Sequence, residues 1–104
     1  MNLSELTRTV IEFRERRGWK KYHTPKNLAI SAAIEVGELL ELFQWRSDEE
    51  IEDLLKSREY RERVGEEISD VMIYLLTLAH ECGIDMERAI LSKIEKNERK
   101  YPVK

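Results

Sequence analysis

The chain has 104 residues, 41% of them hydrophobic and 38% charged, with a formal net charge of −3. That is the size of one small domain, residues 1–104, too apolar for disorder and too charged for a membrane protein, and its net charge does not favour nucleic acid. A core this small covers a modest part of its own surface, so two or more copies sharing a core are expected.

Two prolines and four glycines interrupt the chain, and β-branched alternation is absent, so every element is expected to be helical. The first helix is predicted from Ser4 to Arg17, with Leu6, Val10, Ile11 and Phe13 as its apolar stripe and Gly18 as its end. Trp19 to His23 reads as a loop. Thr24 as N-cap and Pro25 at the first helical position start a second helix, predicted to run to about Trp45. It is apolar nearly all round, which predicts a central, covered element. Ser47-Asp48-Glu49-Glu50 matches a capping box and opens a short helix to about Leu55. A long helix follows from about Ser57 to Glu81, charged and exposed in its first half and buried from Ile68 onward. Gly83 stops it. Asp85 caps a last helix to about Lys100, with Ala89, Ile90 and Ile94 facing inward, and Pro102 follows. The expected architecture is an all-α bundle of four main helices.

Two pairs of acids stand out against this pattern. Glu35 and Glu38 lie in LAISAAIEVGELLELFQW, where the only other charge is Glu41. Glu67 and Asp70 lie in EEISDVMIYLLTLA, where Asp70 is the last charge before His80. Residues three apart share a helix face, so each pair projects two carboxylates in one direction. Neither lysine nor arginine stands three or four residues from Glu35, Glu38 or Asp70. Buried carboxylates need neutralising, and a divalent cation is the simplest counter-charge. An all-oxygen, anionic donor set suits Mg²⁺ above all, with Mn²⁺ as a substitute. Mg²⁺ keeps waters and is commonly shared with substrate phosphates, which points to a phosphorylated ligand. Exposed acids on amphipathic helices are the competing reading. A di-iron bundle would need Glu-x-x-His pairs, and His23 and His80 supply none. Zinc lacks a His/Cys cluster.

Other polar and aromatic residues have ordinary structural readings. Trp19 and Trp45 read as core or interface aromatics, His23 as a loop residue, and Lys93, Asn97 and Lys100 as a solvated helix face. His80 complements the end of its helix, and Cys82 reads as an inert packing residue. A lone cysteine and an N-terminus without an apolar signal segment make the reducing cytoplasm the expected compartment.

Taken together, E-x-x-E at Glu35–Glu38, E-x-x-D at Glu67–Asp70, FQW at Phe43 to Trp45 and K-x-x-x-N-x-x-K-Y-P from Lys93 to Pro102 resemble the MazG-like, all-α nucleoside triphosphate pyrophosphatases. The dCTP pyrophosphatase branch is the nearer likeness, and the matching segments touch nearly the whole chain. The resemblance implies Mg²⁺-dependent hydrolysis between the α- and β-phosphates, giving a nucleoside monophosphate and pyrophosphate. It implies Glu35, Glu38, Glu67 and Asp70 as metal ligands. A carboxylate not fully used on metal could take the proton of the attacking water, and among these acids Glu38 is the choice. Lys93, Asn97, Lys100 and Tyr101 match phosphate-handling positions, and Trp19, His23, Asn27 and Trp45 match positions around the base. Tyr74 matches a position near the sugar, where it disfavours a ribose 2′-hydroxyl. Dimers or tetramers with a site built from more than one subunit are also implied. The alternatives are an all-α dUTPase, a phosphoribosyl-ATP pyrophosphatase, and a non-enzymatic, metal-stabilised helical oligomerisation module.

Overall fold

The structure is a computed structural model and describes residues 1–103. Lys104 lies outside the described residues. Five α-helices make up the fold, in the order α1 (Leu3–Arg16), α2 (Pro25–Glu41), α3 (Asp48–Leu54), α4 (Arg58–Glu81) and α5 (Met86–Lys100). A single 3₁₀ turn, Lys20–Tyr22, occupies the segment expected as a plain loop. No strand occurs among the described residues. The four main helices and the short one are all present as expected, with α2 ending earlier than its sequence suggests.

Local chemistry explains most of the boundaries. The Asn2 side chain accepts from the Glu5 amide at the start of α1. Ser47 and Glu50 form a reciprocal capping box on α3. Asp85 accepts from the Arg88 amide at the start of α5. After α4, Gly83 adopts φ +68°, open to glycine without steric penalty. The Gly83 amide donates to the His80 carbonyl and the Ile84 amide to the Ala79 carbonyl, the paired bonds of a Schellman ending.

The end of α2 departs from expectation. The helix stops at Glu41 and not near Trp45. The Leu42 and Phe43 amides reach back only three residues, to Leu39 and Leu40, so the last turn tightens. The Leu42 carbonyl is then taken by the Tyr60 hydroxyl (2.6 Å) and by the Arg46 guanidinium (2.7 Å). Trp45 turns into the left-handed region at φ +70°, uncommon for any residue but glycine.

The chain forms two compact units. One holds residues 1–25 and 76–103, so α1, α5 and the last turns of α4. Leu76, Thr77 and Ala79 are buried in it, and so is Arg14, at 2% exposure. The Arg14 guanidinium pairs with Glu81 and with Glu15. Ala89 is half-buried, but Ile90 and Ile94 are exposed, contrary to the inward stripe expected of α5. Cys82 is exposed as well, so it is not the packing residue expected.

The other unit holds residues 26–75, with most of α2, all of α3 and the first five turns of α4. Leu28, Ala32, Leu42 and Tyr60 are buried there, and Phe43 meets the Tyr60 ring edge-to-face at 6.3 Å. The expectation that α2 and the second half of α4 are covered holds only in part for a single chain. Ile30, Ile34 and Leu40 of α2 are exposed, Ile34 by 59%, as are Ile68, Met72 and Leu75 of α4. Too few elements surround these apolar faces to close over them.

Candidate metal centre

Three of the four acids predicted from spacing meet within the 26–75 unit. One carboxylate oxygen each from Glu35, Glu38 and Glu67 lies within 4.8 Å of the others. Helical spacing brings Glu35 and Glu38 to one face of α2, and α4 supplies Glu67. Glu35 and Glu67 are half-buried and Glu38 is exposed. The Oε2 atoms of both Glu35 and Glu67 are shut off from solvent without a hydrogen-bond partner. Buried polar atoms are nearly always satisfied, so two orphaned carboxylate oxygens in one cluster are unusual. A cation would satisfy both. Oxygen-only, anionic donors with one side open to solvent suit a hard divalent ion that keeps waters of its own.

Asp70 follows Glu67 by one turn and is exposed. It stands outside the tight trio, but its charge acts on both Glu35 and Glu67. Burial lifts the Glu35 carboxyl above its ordinary value, followed by a hydrogen bond shared with Glu38 and by the charges of Glu38, Asp70 and Glu67. Burial also lifts Glu67, with Glu38, Asp70 and Glu66 adding to the rise and Arg63 opposing it. A carboxyl whose pKa rises on folding binds its proton more tightly in the folded state. Its contribution to stability is present below the unfolded value and is lost as pH rises through the folded one. Without metal, the cluster therefore costs stability at neutral pH. Glu35→Gln is expected to raise the melting temperature in EDTA at neutral pH. Added Mg²⁺ should raise the melting temperature of the wild type more than that of the variant, and equal responses in the two melts would contradict the cation site.

The remaining candidates divide between the two units. Asn27, in the first turn of α2, is exposed, Tyr74 is half-buried one turn beyond Asp70, and Trp45 is 91% exposed. These three share the acids' unit. In the other unit, Trp19 meets Phe13 edge-on at 5.8 Å and His23 at 6.4 Å. The Arg17 guanidinium lies 3.5 Å over the Phe13 ring. Burial lowers the His23 pKa, the Arg14 charge adds to this, and Glu81 opposes it. On α5, Lys93 is exposed and Asn97 half-buried. Tyr101 is the C-cap residue outside the helix, exposed, with the Lys100 ammonium 5.3 Å over its ring.

Two cations beside the acids escaped the sequence reading. A cleft of about 360 Å³ is lined by Glu38, Glu41, Leu42, Arg46, Arg63 and Glu67. Arg63 stands four residues before Glu67, a spacing that could have drawn attention to it. Arg46 carries no such signal, because the turn that places it depends on the early end of α2.

Comparison with known proteins finds relatives of this chain. The MazG-like family model matches residues 30–104. The chain is 44% identical to dCTP pyrophosphatase 1 of Bos taurus over 101 residues, 97% of this chain and 60% of that protein. It is also 44% identical to dCTP pyrophosphatase 1 of Homo sapiens over 100 residues, 96% of this chain and 59% of that protein. The chain thus spans about 60% of the length of the curated relatives it matches. Among solved structures, the crystal structure of a pyrophosphatase from Archaeoglobus fulgidus DSM 4304 superposes with a TM-score of 0.87. It is 54% identical and covers 97% of this chain and 93% of its own.

Proposed function

The chain belongs to the MazG-like family, and on that premise we propose that it is a nucleotide pyrophosphohydrolase. It hydrolyses the α–β phosphoanhydride of nucleoside triphosphates, dCTP or modified deoxynucleotides foremost, to a monophosphate and pyrophosphate. The observation that carries this reading is the pair of orphaned, buried carboxylate oxygens of Glu35 and Glu67 beside Glu38. A catalytic centre for an anionic polyphosphate needs a cation there, and relatives 44% identical to this chain are named dCTP pyrophosphatases.

Glu35, Glu38 and Glu67 would hold Mg²⁺, with Asp70 one turn away to complete the set. Bound there, the ion would polarise the phosphate and lower the pKa of a water. Glu38, the most open of the trio, takes the proton of the attacking water. Family resemblance alone assigns Lys93, Asn97, Lys100 and Tyr101 to the phosphates, Trp19, His23, Asn27 and Trp45 to the base and Tyr74 to the 2′ position of the sugar.

We also propose a homo-oligomer, a dimer or a tetramer. Ile68, Met72 and Leu75 recur at i, i+4 and i+7 on α4, and Ile30, Ile34 and Leu40 stand open on α2. Exposed apolar stretches of this kind mark interaction sites. Light scattering should give at least twice the chain mass, and a monomer would refute the assembly.

The decisive experiment measures pyrophosphate release from a panel of canonical and modified nucleotides, in Mg²⁺ and in EDTA. Mg²⁺-dependent release led by dCTP or a cytosine analogue supports the reading. Release led by dUTP or phosphoribosyl-ATP keeps the chemistry and changes the substrate. No release by folded protein makes it a non-enzymatic oligomerisation module. In that case nucleotides add nothing to its melting temperature, whereas a true ligand at 100 times its dissociation constant adds about 2.7 kcal/mol.

A further inference from the structure

We propose that Arg63 and Arg46 form a guanidinium clamp for the polyphosphate, on the wall of the cleft that also presents Glu38 and Glu67. The proposal rests on the pyrophosphohydrolase reading and adds residues to it that neither spacing nor family resemblance assigned.

The cleft has carboxylates from Glu38, Glu41 and Glu67 and guanidinium groups from Arg46 and Arg63. In such company an arginine normally pairs. Arg63 does not: no hydrogen bond or ion pair holds it among the described residues, and its influence on Glu67 is through charge alone. With arginine on the N-terminal side of glutamate, the pair has the less favourable order for a helix. The Arg63 fork is therefore left available beside the acids. Arg46 is different. Its Nη1 donates to the Leu42 carbonyl (2.7 Å), which anchors the side chain by one donor. A guanidinium has five N–H donors, so four remain.

Planar forks of this kind match phosphate oxygens in pairs, which a lysine ammonium does not. The acids suit a divalent cation, and the arginines beside them suit the anion that such a cation brings. Hydrolysis at the α–β bond moves negative charge onto the departing pyrophosphate, and fixed donors placed there stabilise it. Arg46 also links the site to the fold, because the bond that orients it is one of the two that end α2 at Leu42.

Inorganic pyrophosphate is the probe, since it carries the phosphates without base or sugar. Calorimetric titration in Mg²⁺ is made on the wild type, R63Q and R63K, with the melting temperature of each as a control for folding. R63Q is expected to weaken pyrophosphate binding about tenfold or more. R63K should recover part of the loss, because it keeps the charge but not the fork. Unchanged pyrophosphate affinity in R63Q overturns the clamp. So does tighter Mg²⁺ binding with pyrophosphate affinity unaltered, which would leave Arg63 only offsetting the acids. A wild type that binds no pyrophosphate in Mg²⁺ overturns it as well. Nucleotide turnover by the wild type is read separately. Arg63-dependent pyrophosphate binding without turnover would sink the reaction and keep the phosphate site.

Discussion

Glu38→Gln is expected to lower pyrophosphate release about a thousandfold or more, because a metal-held phosphate centre supplies several kcal/mol of transition-state stabilisation and each ~1.4 kcal/mol is tenfold in rate. The fold should not notice. Glu38 is exposed, and the hydrogen bond it shares with Glu35 is one that an amide can also make. Helical circular dichroism should therefore match the wild type. The amide keeps the shape of the carboxylate and loses both its charge and its capacity to accept a proton, which are the two properties the proposed role requires. Glu52→Gln is the matched control. Glu52 is exposed on α3, outside the trio and outside the cleft, and its replacement should leave activity in place. Full turnover by Glu38→Gln in a stopped assay of pyrophosphate release would remove Glu38 from the chemistry.

The second large effect is on stability. Glu81→Leu is expected to destabilise the fold by about 3 kcal/mol. Arg14 is almost wholly buried, and its guanidinium is held by Glu81 and by the more exposed Glu15, with Nε lacking a partner. Removing Glu81 leaves a buried cation with one solvent-facing counter-charge. The cost comes from that stranded charge more than from the pair itself, so the double replacement Arg14→Met with Glu81→Leu should recover much of the loss. Urea denaturation of the two singles and the double closes the cycle. The pair also sets an acid limit. The hydrogen bond from Arg14 holds the Glu81 carboxyl below its ordinary value, against the effect of burial. A carboxyl whose pKa falls on folding stabilises above the unfolded value, and that stability is lost as pH falls through the folded one. Glu81 thus favours the fold at neutral pH, where the metal-free Glu35 and Glu67 oppose it.

Much of the fold is written in short-range signals. Ser47 with Glu50, Asp85 before α5, Pro25 after Thr24 and Gly83 after α4 are local motifs, and each marks an observed boundary. The end of α2 is not local. Its stop comes from a tyrosine eighteen residues away and from an arginine folding back, and neither glycine nor proline announces it. Burial was misjudged for the same reason. Apolar periodicity shows which faces of α2 and α4 want cover but not whether one chain supplies it. Nothing local marks Arg14 as buried, because its partner Glu81 is 67 positions away. At the candidate site, spacing alone brought Glu35, Glu38 and Glu67 forward. The spacing could not foresee that two oxygens would be sealed and orphaned, since that depends on how α2 and α4 pack within their unit.

The exposed Trp45 gives the molecule an optical handle. Its indole is almost fully in water, whereas that of Trp19 rests edge-on against Phe13. Two tryptophans in such unlike surroundings differ in emission colour and in access to a dissolved quencher, so the chain carries its own pair of reporters. The left-handed backbone at Trp45 sharpens this, because a strained turn holds the ring out on a short tether and does not let it fold back. An event that covers the end of α2 alone changes the light from one residue, whereas one that engages both rings changes both.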